Sequence, residues 1–145
     1  MSLPLDTVRR RAPSGLEILA NYFLPYGAAG TGYNPDDDEL PFRLVQRYDG
    51  VQGSATQRGY YQIDDLARDF TTAEEQGDRT LEAMVYLKEH PWTEIEIQDP
   101  RNPAAKINVT VDYVRIDKIP TWDGYENPRI QRFISRYTVD LRVES

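Results

Sequence analysis

Cysteine is missing from the 145 residues of the chain, and histidine occurs once, at position 90. The absence of cysteine excludes a disulfide framework, a thiolate metal site and a cysteine nucleophile. His90 stands directly before Pro91, and the surrounding sequence signals no nucleophile or orienting acid that could work with it. We therefore expect His90 to be structural or exposed rather than catalytic.

Sequence motifs for phosphate binding and hydrolysis are also missing. The chain contains no GxGxxG, no P-loop, no GxSxG and no HExxH. The acidic run at 34–39 lacks the alternating ligands and the central glycine of a calcium loop. The sequence therefore predicts no cofactor, no metal site and no enzymatic activity. The alternative that remains open is a small enzyme whose cryptic metal site uses the neighbouring carboxylates of Asp64 and Asp65.

Long apolar runs and basic blocks are scarce. No segment approaches the roughly 20 apolar residues of a membrane span, so we expect no membrane partner. Arg9, Arg10 and Arg11 are followed by polar residues rather than an apolar stretch, so we interpret residues 1–13 as an extended lead-in. The formal net charge of −7, with no basic block after Arg11, argues against specific nucleic-acid binding.

Tyrosine is abundant by comparison, with ten residues against four Phe and two Trp. Hydrophobic residues make up 39% and charged residues 28% of the chain, which is typical of one globular domain spanning residues 1–145. Tyrosine suits half-buried surfaces and protein interfaces, although it also favours strands. The composition thus points towards self-association or binding of another protein.

Two helices are indicated by capping boxes followed by apolar stripes. The first box, from Ser14 to Glu17, opens a helix at about 15–24. The second, from Thr72 to Glu75, opens a helix at about 73–89. Its apolar stripe, which we expect to cover a sheet, contains Ala73, Gly77, Thr80, Leu81, Met84, Leu87 and Lys88.

Alternating residues predict the strands. The predicted strands are Phe42–Tyr48, Tyr60–Phe70, Thr93–Gln98, Ile107–Ile116 and Phe133–Val143, the first two forming a hairpin across a flexible 50–59 connection. Segments 25–41 and 117–131 are rich in Gly, Pro and Asp and are predicted to be long loops. The fold class is therefore α+β, with a mixed or antiparallel sheet of four to five strands and two main helices on one face.

Five residues are candidates for an interface. Trp122 and Tyr125 lie between charged neighbours in the predicted 117–131 loop, and such residues often anchor interfaces. The alternative, that Trp122 folds back onto the core, remains open. The other candidates belong to the strand after the hairpin connection and are Tyr60, Tyr61 and Asp64.

Two segments of the chain resemble a known family. The segment RGYYQIDDLARDFTTAEEQGDRTLEAMVYL runs from a strand into a capped helix, and YVRIDKIPTWDGYENPRIQRFISRYTVDLRV joins a strand, a Pro/Trp/Asp-Gly loop and a final alternating strand. With the N-terminal amphipathic helix, this arrangement resembles the tail terminator proteins of long-tailed double-stranded DNA bacteriophages, especially those of actinobacteria. The resemblance covers about residues 14–143 and concerns architecture, since the family has no invariant catalytic motif.

The resemblance implies a structural role in the virion. It implies a closed ring, with six copies as the expected number, at the head-proximal end of the tail tube. The partners would be other copies of the chain, the tail tube protein and the head-tail connector or stopper protein, and DNA would pass through the lumen without specific binding. Assembly would take place in the bacterial host cytoplasm. Another neck or tail-tube component of the same virion is the alternative within this class.

Overall fold

The computed structural model describes residues 15–31, 40–52, 56–99 and 102–143. The predicted lead-in at 1–13, the capping residue Ser14 and the acidic run at 34–39 lie outside the described residues. The helices are α1, Gly15–Phe23, and α2, Phe70–Glu89, and a 3-10 turn spans Leu24–Tyr26. The strands are β1 (Ala29–Thr31), β2 (Phe42–Gln52), β3 (Thr56–Ala67), β4 (Thr93–Asp99), β5 (Asn102–Trp122) and β6 (Gln131–Val143).

The strands form one mixed sheet in the order β1-β2-β3-β6-β5-β4. The β1–β2 pair is parallel and the other pairs are antiparallel. The predicted α+β class is confirmed, but the described residues form a sheet of six strands rather than four to five. The additional strand, β1, lies inside the predicted 25–41 loop. Its three residues show no alternation, and they are extended because β2 offers them an edge, where the Arg43 amide donates to the Ala28 carbonyl over 2.9 Å.

Both helices pack on the same face of the sheet and bury one continuous apolar core. α1 contributes Ile18, Leu19 and Phe23, whereas α2 contributes Ala83, Met84 and Leu87. These residues meet the inward row of the central strands, which includes Val45, Tyr61, Ile63, Val109, Val111, Tyr137, Val139 and Leu141. Burial of these side chains is the main force that holds the two layers together.

Helix α2 begins three residues before the predicted start. Its N-cap is Asp69, whose carboxylate accepts from the Thr72 amide over 2.9 Å and from the Thr72 hydroxyl over 2.7 Å. Thr72 therefore supports the cap instead of being the cap itself. Gly77 brings the helix close to the sheet, since a Cβ there would lie 3.0 Å from the Cβ of Pro120.

The predicted loop at 117–131 is wrong in its first half. Strand β5 continues through Trp122, so the connection to β6 comprises only residues 123–130. Pro120 did not end the strand, because β4 pairs with β5 only as far as Val111. Among the described residues, no strand pairs with the outer edge of β5 beyond that point, so the missing N–H of Pro120 interrupts no pairing there.

The hairpin prediction is confirmed, but its flexible connection is much shorter than 50–59. Strands β2 and β3 stay paired as far as Gln52 and Gln57. At the other end, β3 stops at Ala67 rather than at the predicted Phe70, because Phe70 already begins α2. Pairing between two long strands overrides the weak local preference of the Gly-, Ser- and Gln-rich segment.

Candidate interaction surface on the sheet

The face of the sheet opposite the helices carries a dense set of arginine and tyrosine side chains. Strand alternation places them there, because Arg132, Arg136 and Arg142 alternate with buried residues of β6. We call this surface the open face. It comprises Tyr48, Arg58, Tyr60, Gln62, Asp64, Tyr113, Arg115, Asp117, Lys118, Arg132, Arg136, Thr138, Asp140 and Arg142.

At one end of the open face, Asp64 is the centre of a polar cluster. Its carboxylate accepts from Gln62 over 2.9 Å and from Gln46 over 3.0 Å, and Arg132 lies 3.6 Å away. Burial raises the pKa of Asp64, although these hydrogen bonds and Arg132 act in the opposite direction. The cluster borders a shallow cavity of about 200 Å³ that Tyr125 also lines. Asp64 is only 2% exposed, so it organises the surface from below instead of contacting a partner.

The neighbouring Asp65 points to the other side of the sheet. It accepts from Arg43 over 3.1 Å, from Thr80 over 2.9 Å and from Gln76 over 3.1 Å, beneath helix α2. Because successive side chains of a strand point to opposite faces, Asp64 and Asp65 do not converge on a common ion. The paired-carboxylate metal site, on which the alternative of a small enzyme rested, is therefore not formed.

At the other end of the open face, each arginine has a carboxylate partner. Arg58 donates to both carboxylate oxygens of Asp140, over 2.7 and 2.8 Å. Arg115 and Asp117 are 2.6 Å apart, whereas Arg142 is 3.2 Å from Asp112. Such exposed pairs each contribute little stability. They do hold the long side chains in fixed positions across the strands.

Arg136, in the middle of the open face, is different. Its guanidinium donates to Gln62 over 3.2 Å and lies 5.7 Å from the centre of the Tyr48 ring, but no carboxylate pairs with it among the described residues. Directly across the β5–β6 pairing stands Lys118, so two cations face each other. Like charges in opposed positions repel, and a carboxylate from outside would relieve that repulsion.

The sequence-predicted interface residues occupy different environments. Tyr60 is half-buried on the open face, where its ring lies 6.1 Å from that of Tyr48. Tyr61 lies fully buried in the core, so its assignment to an interface was wrong. Trp122 is 52% exposed and donates its indole N–H to Gln131 over 2.9 Å, so it does not fold back onto the core. Tyr125 is half-buried beneath Arg132, 5.3 Å from ring centre to guanidinium.

Sequence patterns alone did not point to Arg136, Lys118 or Arg58 as interface residues. The outward row of β6, with three arginines, was the available signal for this surface. Asp64 was named as an interface residue but lies under the surface. The structure therefore brings Tyr60 and the arginine row together and leaves Trp122 apart at the end of β5.

His90 closes the C-terminal end of α2. Its ring is exposed and stacks on Tyr86 with 4.2 Å between centres, and its Nδ1 lies 2.8 Å from the Tyr86 carbonyl oxygen. Within the described ranges, no three His, Asp or Glu side chains form a group that could hold a metal ion. No helix in the described part of the chain is long and apolar enough to cross a bilayer.

No protein-family model matches the chain, and no curated protein matches it at a significant level.

Proposed function

We propose that the chain is a structural subunit of a bacteriophage tail, which closes into a ring at the head-proximal end of the tail tube. The particular role comes from the sequence resemblance to tail terminator proteins. The observation that favours an assembly role is the open face, a continuous surface of ordered Arg and Tyr side chains on one side of the sheet. Arg and Tyr are among the residues most often enriched at protein interfaces.

The described residues line two surface cavities of about 200 and 210 Å³. Both are smaller than the roughly 300–1,000 Å³ of a usual ligand pocket, so neither of these two favours a small-molecule site. The broad open face is better suited to contact another protein.

In the proposed ring, the chain ends polymerisation of the tail tube and offers a face to the head-tail connector or stopper protein. No chemical step is required of it. DNA passes through the lumen without specific binding, which agrees with the net charge of −7 on each copy. An acidic wall repels the phosphate backbone.

Deletion of the gene from the parent phage tests the proposal. We expect tail tubes of uncontrolled length that lack heads, and restoration of normal tails when the wild-type chain is supplied in trans. Electron microscopy of the particles gives both tube length and the fraction of tails joined to heads. Gold labelling of a tagged, complementing chain should mark a single ring at the head-proximal end.

Two outcomes would contradict this role. Label along the whole tube would make the chain a tube protein, and label only on the head vertex would make it another neck component. Normal tails without the gene would remove the chain from tail assembly altogether.

A further inference from the structure

The open face and the outer face of α2 lie on opposite sides of the molecule and carry complementary charges. The outer face of α2 presents the exposed acidic residues Glu74, Glu75, Asp78, Glu82 and Glu89. At about 3.6 residues per turn, these five side chains fall within roughly 100° of the helix circumference. None of them has an ion pair within the described ranges.

The open face has the matching unpaired cations. Arg136 and Lys118 stand opposite each other on β6 and β5, and neither has a carboxylate partner in the described part of the chain. The Arg136 guanidinium is already held in place by Gln62 and Tyr48. A pre-ordered arginine loses little conformational entropy when it accepts an acidic partner.

We propose that the open face of one copy binds the acidic outer face of α2 from a second copy, with Arg136 and Lys118 pairing with carboxylates of that helix. The contact is heterologous, because the two surfaces belong to opposite sides of the same chain. Repetition of such a contact generates a ring or an open stack. The inference rests on the proposed ring function, for which it supplies the seam between subunits.

The spacing of charges on the two surfaces agrees with this contact. Arg136 and Lys118 stand opposite each other on neighbouring strands, whose backbones are about 5 Å apart. Asp78 and Glu82, four residues apart on a helix, are separated by about 6 Å along the helix axis. A helix that crosses β5 and β6 can therefore place one carboxylate near each of the two cations.

A second copy fits the open face better than nucleic acid does. Most cations of the face are already neutralised by Asp140, Asp117 and Asp112. Binding to a phosphate backbone depends on many unneutralised cations, whereas the face offers a local pair. The acidic outer face of α2 from a second copy supplies enough carboxylates to pair with these two free cations.

Charge reversal tests the seam. A sheet variant carries Lys118→Glu and Arg136→Glu, and a helix variant carries Asp78→Lys and Glu82→Lys. Each variant alone places like charges on both sides of the seam, so we expect its self-association to weaken by about tenfold or more. A mixture of the two variants restores an attractive seam at every contact, and so does the chain that carries all four substitutions.

Self-association is measured by sedimentation velocity over a series of protein concentrations, with melting curves to show that each variant is folded. Zero-length carbodiimide cross-linking of the wild type captures weak contacts, and mass spectrometry should join Lys118 to the 74–82 segment between copies. As a matched control, Lys106→Glu reverses a cation that is 3.0 Å from Glu96 on the same side of the sheet, and it should leave association unchanged.

Failure of the seam and failure of the ring function give different results. Association that persists in both folded variants, or no cross-link from Lys118 to α2 of another copy, overturns the seam. If electron microscopy still shows rings in that case, the proposed tail function stands and only the seam is wrong. A mixture that fails to associate also overturns the seam, and duplex DNA binding lost only in the sheet variant would assign the face to nucleic acid. If the seam is confirmed but the phage forms normal tails without the gene, only the tail role is rejected.

Discussion

Individual residues in this chain owe their properties to the face on which the strand places them. Asp64 and Asp65 are adjacent, yet one organises the open face and the other lies beneath α2. Asp65 is fully buried, and desolvation raises its pKa to about 6 even though Arg43, Thr80 and Gln76 stabilise its charged form. Burial also lowers the pKa of Arg43, against the attraction of Asp65. Both shifts show that removing charge from water is the larger effect at this pair.

The pKa of Asp65 predicts a dependence of stability on pH. Its folded value of about 6 is above its ordinary value of 3.8, so the folded chain holds a proton that the unfolded chain releases. The stabilising contribution of this group is complete below about pH 4 and is lost as the pH rises through about 6. We therefore expect the wild type to lose stability relative to Asp65→Asn across this range.

Urea unfolding of both proteins at a series of pH values measures this difference. Because all other titrating groups are shared, their contributions largely cancel. Glu82→Gln serves as the control, because it removes an exposed carboxylate from α2. A wild-type-to-variant difference that stays constant between pH 4 and pH 7 would contradict the raised pKa of Asp65.

Helix α2 illustrates how an amphipathic sequence pattern forms the helical layer that covers the sheet. The buried residues are Ala73, Gly77, Thr80, Ala83, Met84 and Leu87, which agrees with most of the predicted stripe. Leu81, however, is only half-buried, and Lys88 is exposed. The helix is therefore rotated slightly about its axis, so that Met84 rather than Leu81 faces the sheet.

This orientation predicts different costs for two truncations on the same helix. Met84 is fully buried, so Met84→Ala should lower the free energy of unfolding by about 2–5 kcal/mol. Leu81→Ala should cost clearly less, because part of that side chain already contacts water. Urea denaturation of the two variants gives the comparison. Equal losses would show that the helix is rotated differently on the sheet.

Strand β5 shows how irregularities redirect side chains. Its pairing with β6 shifts between Val111 and Tyr113, so an additional residue is inserted there. Strict alternation would place Tyr113 in the inward row after Val109 and Val111, but Tyr113 is 44% exposed and Val114 is buried instead. A bulge of this kind reverses the alternation for the residues that follow it. As a result, Tyr113 reaches the open face, where it lies under Arg58 with 5.9 Å from guanidinium to ring centre.

For the whole molecule, the two faces of the sheet have separate roles. The inner face holds the fold through its contacts with the two helices. The open face and the exposed end of β5 are available to other chains. Trp122 is one of the residues available to other chains, since it is half-exposed and lies where β5 ends. Tyr125 contributes to stability instead, because on the open side of the sheet it packs against the small cluster of Phe42, Leu44 and Leu66.

This division predicts separable effects for Trp122 and Tyr125 in the proposed tail role. Trp122→Ala should leave the melting temperature nearly unchanged but reduce the fraction of tails joined to heads. Tyr125→Ala should lower the melting temperature, because its ring packs on the small cluster and beneath Arg132. Thermal unfolding and complementation of the deleted phage gene measure the two effects. A folded Trp122→Ala chain that produces normal virions would exclude Trp122 as a docking residue.

The sequence by itself determined the class of the fold. Capping residues, apolar stripes and alternation locate both helices and five of the six strands, because these signals act between near neighbours in the chain. The row of arginines on β6 was visible in the same way. The functional significance of that row was not visible, because the acidic partners of Arg132 and Arg142, which Arg136 lacks in the described part of the chain, are side chains of β3 and β5.

Only the tertiary structure decided the remaining features. Strand β1 exists because β2 offers it an edge, and the bulge at Asp112 exposes Tyr113. Strand β5 extends through Pro120 because its pairing with β4 ends at Val111, well before the proline. The burial of Arg43 and Tyr61 likewise follows from the helices that cover them. Each of these outcomes depends on contacts between residues far apart in sequence, whose energies exceed the local preferences that a sequence pattern reports.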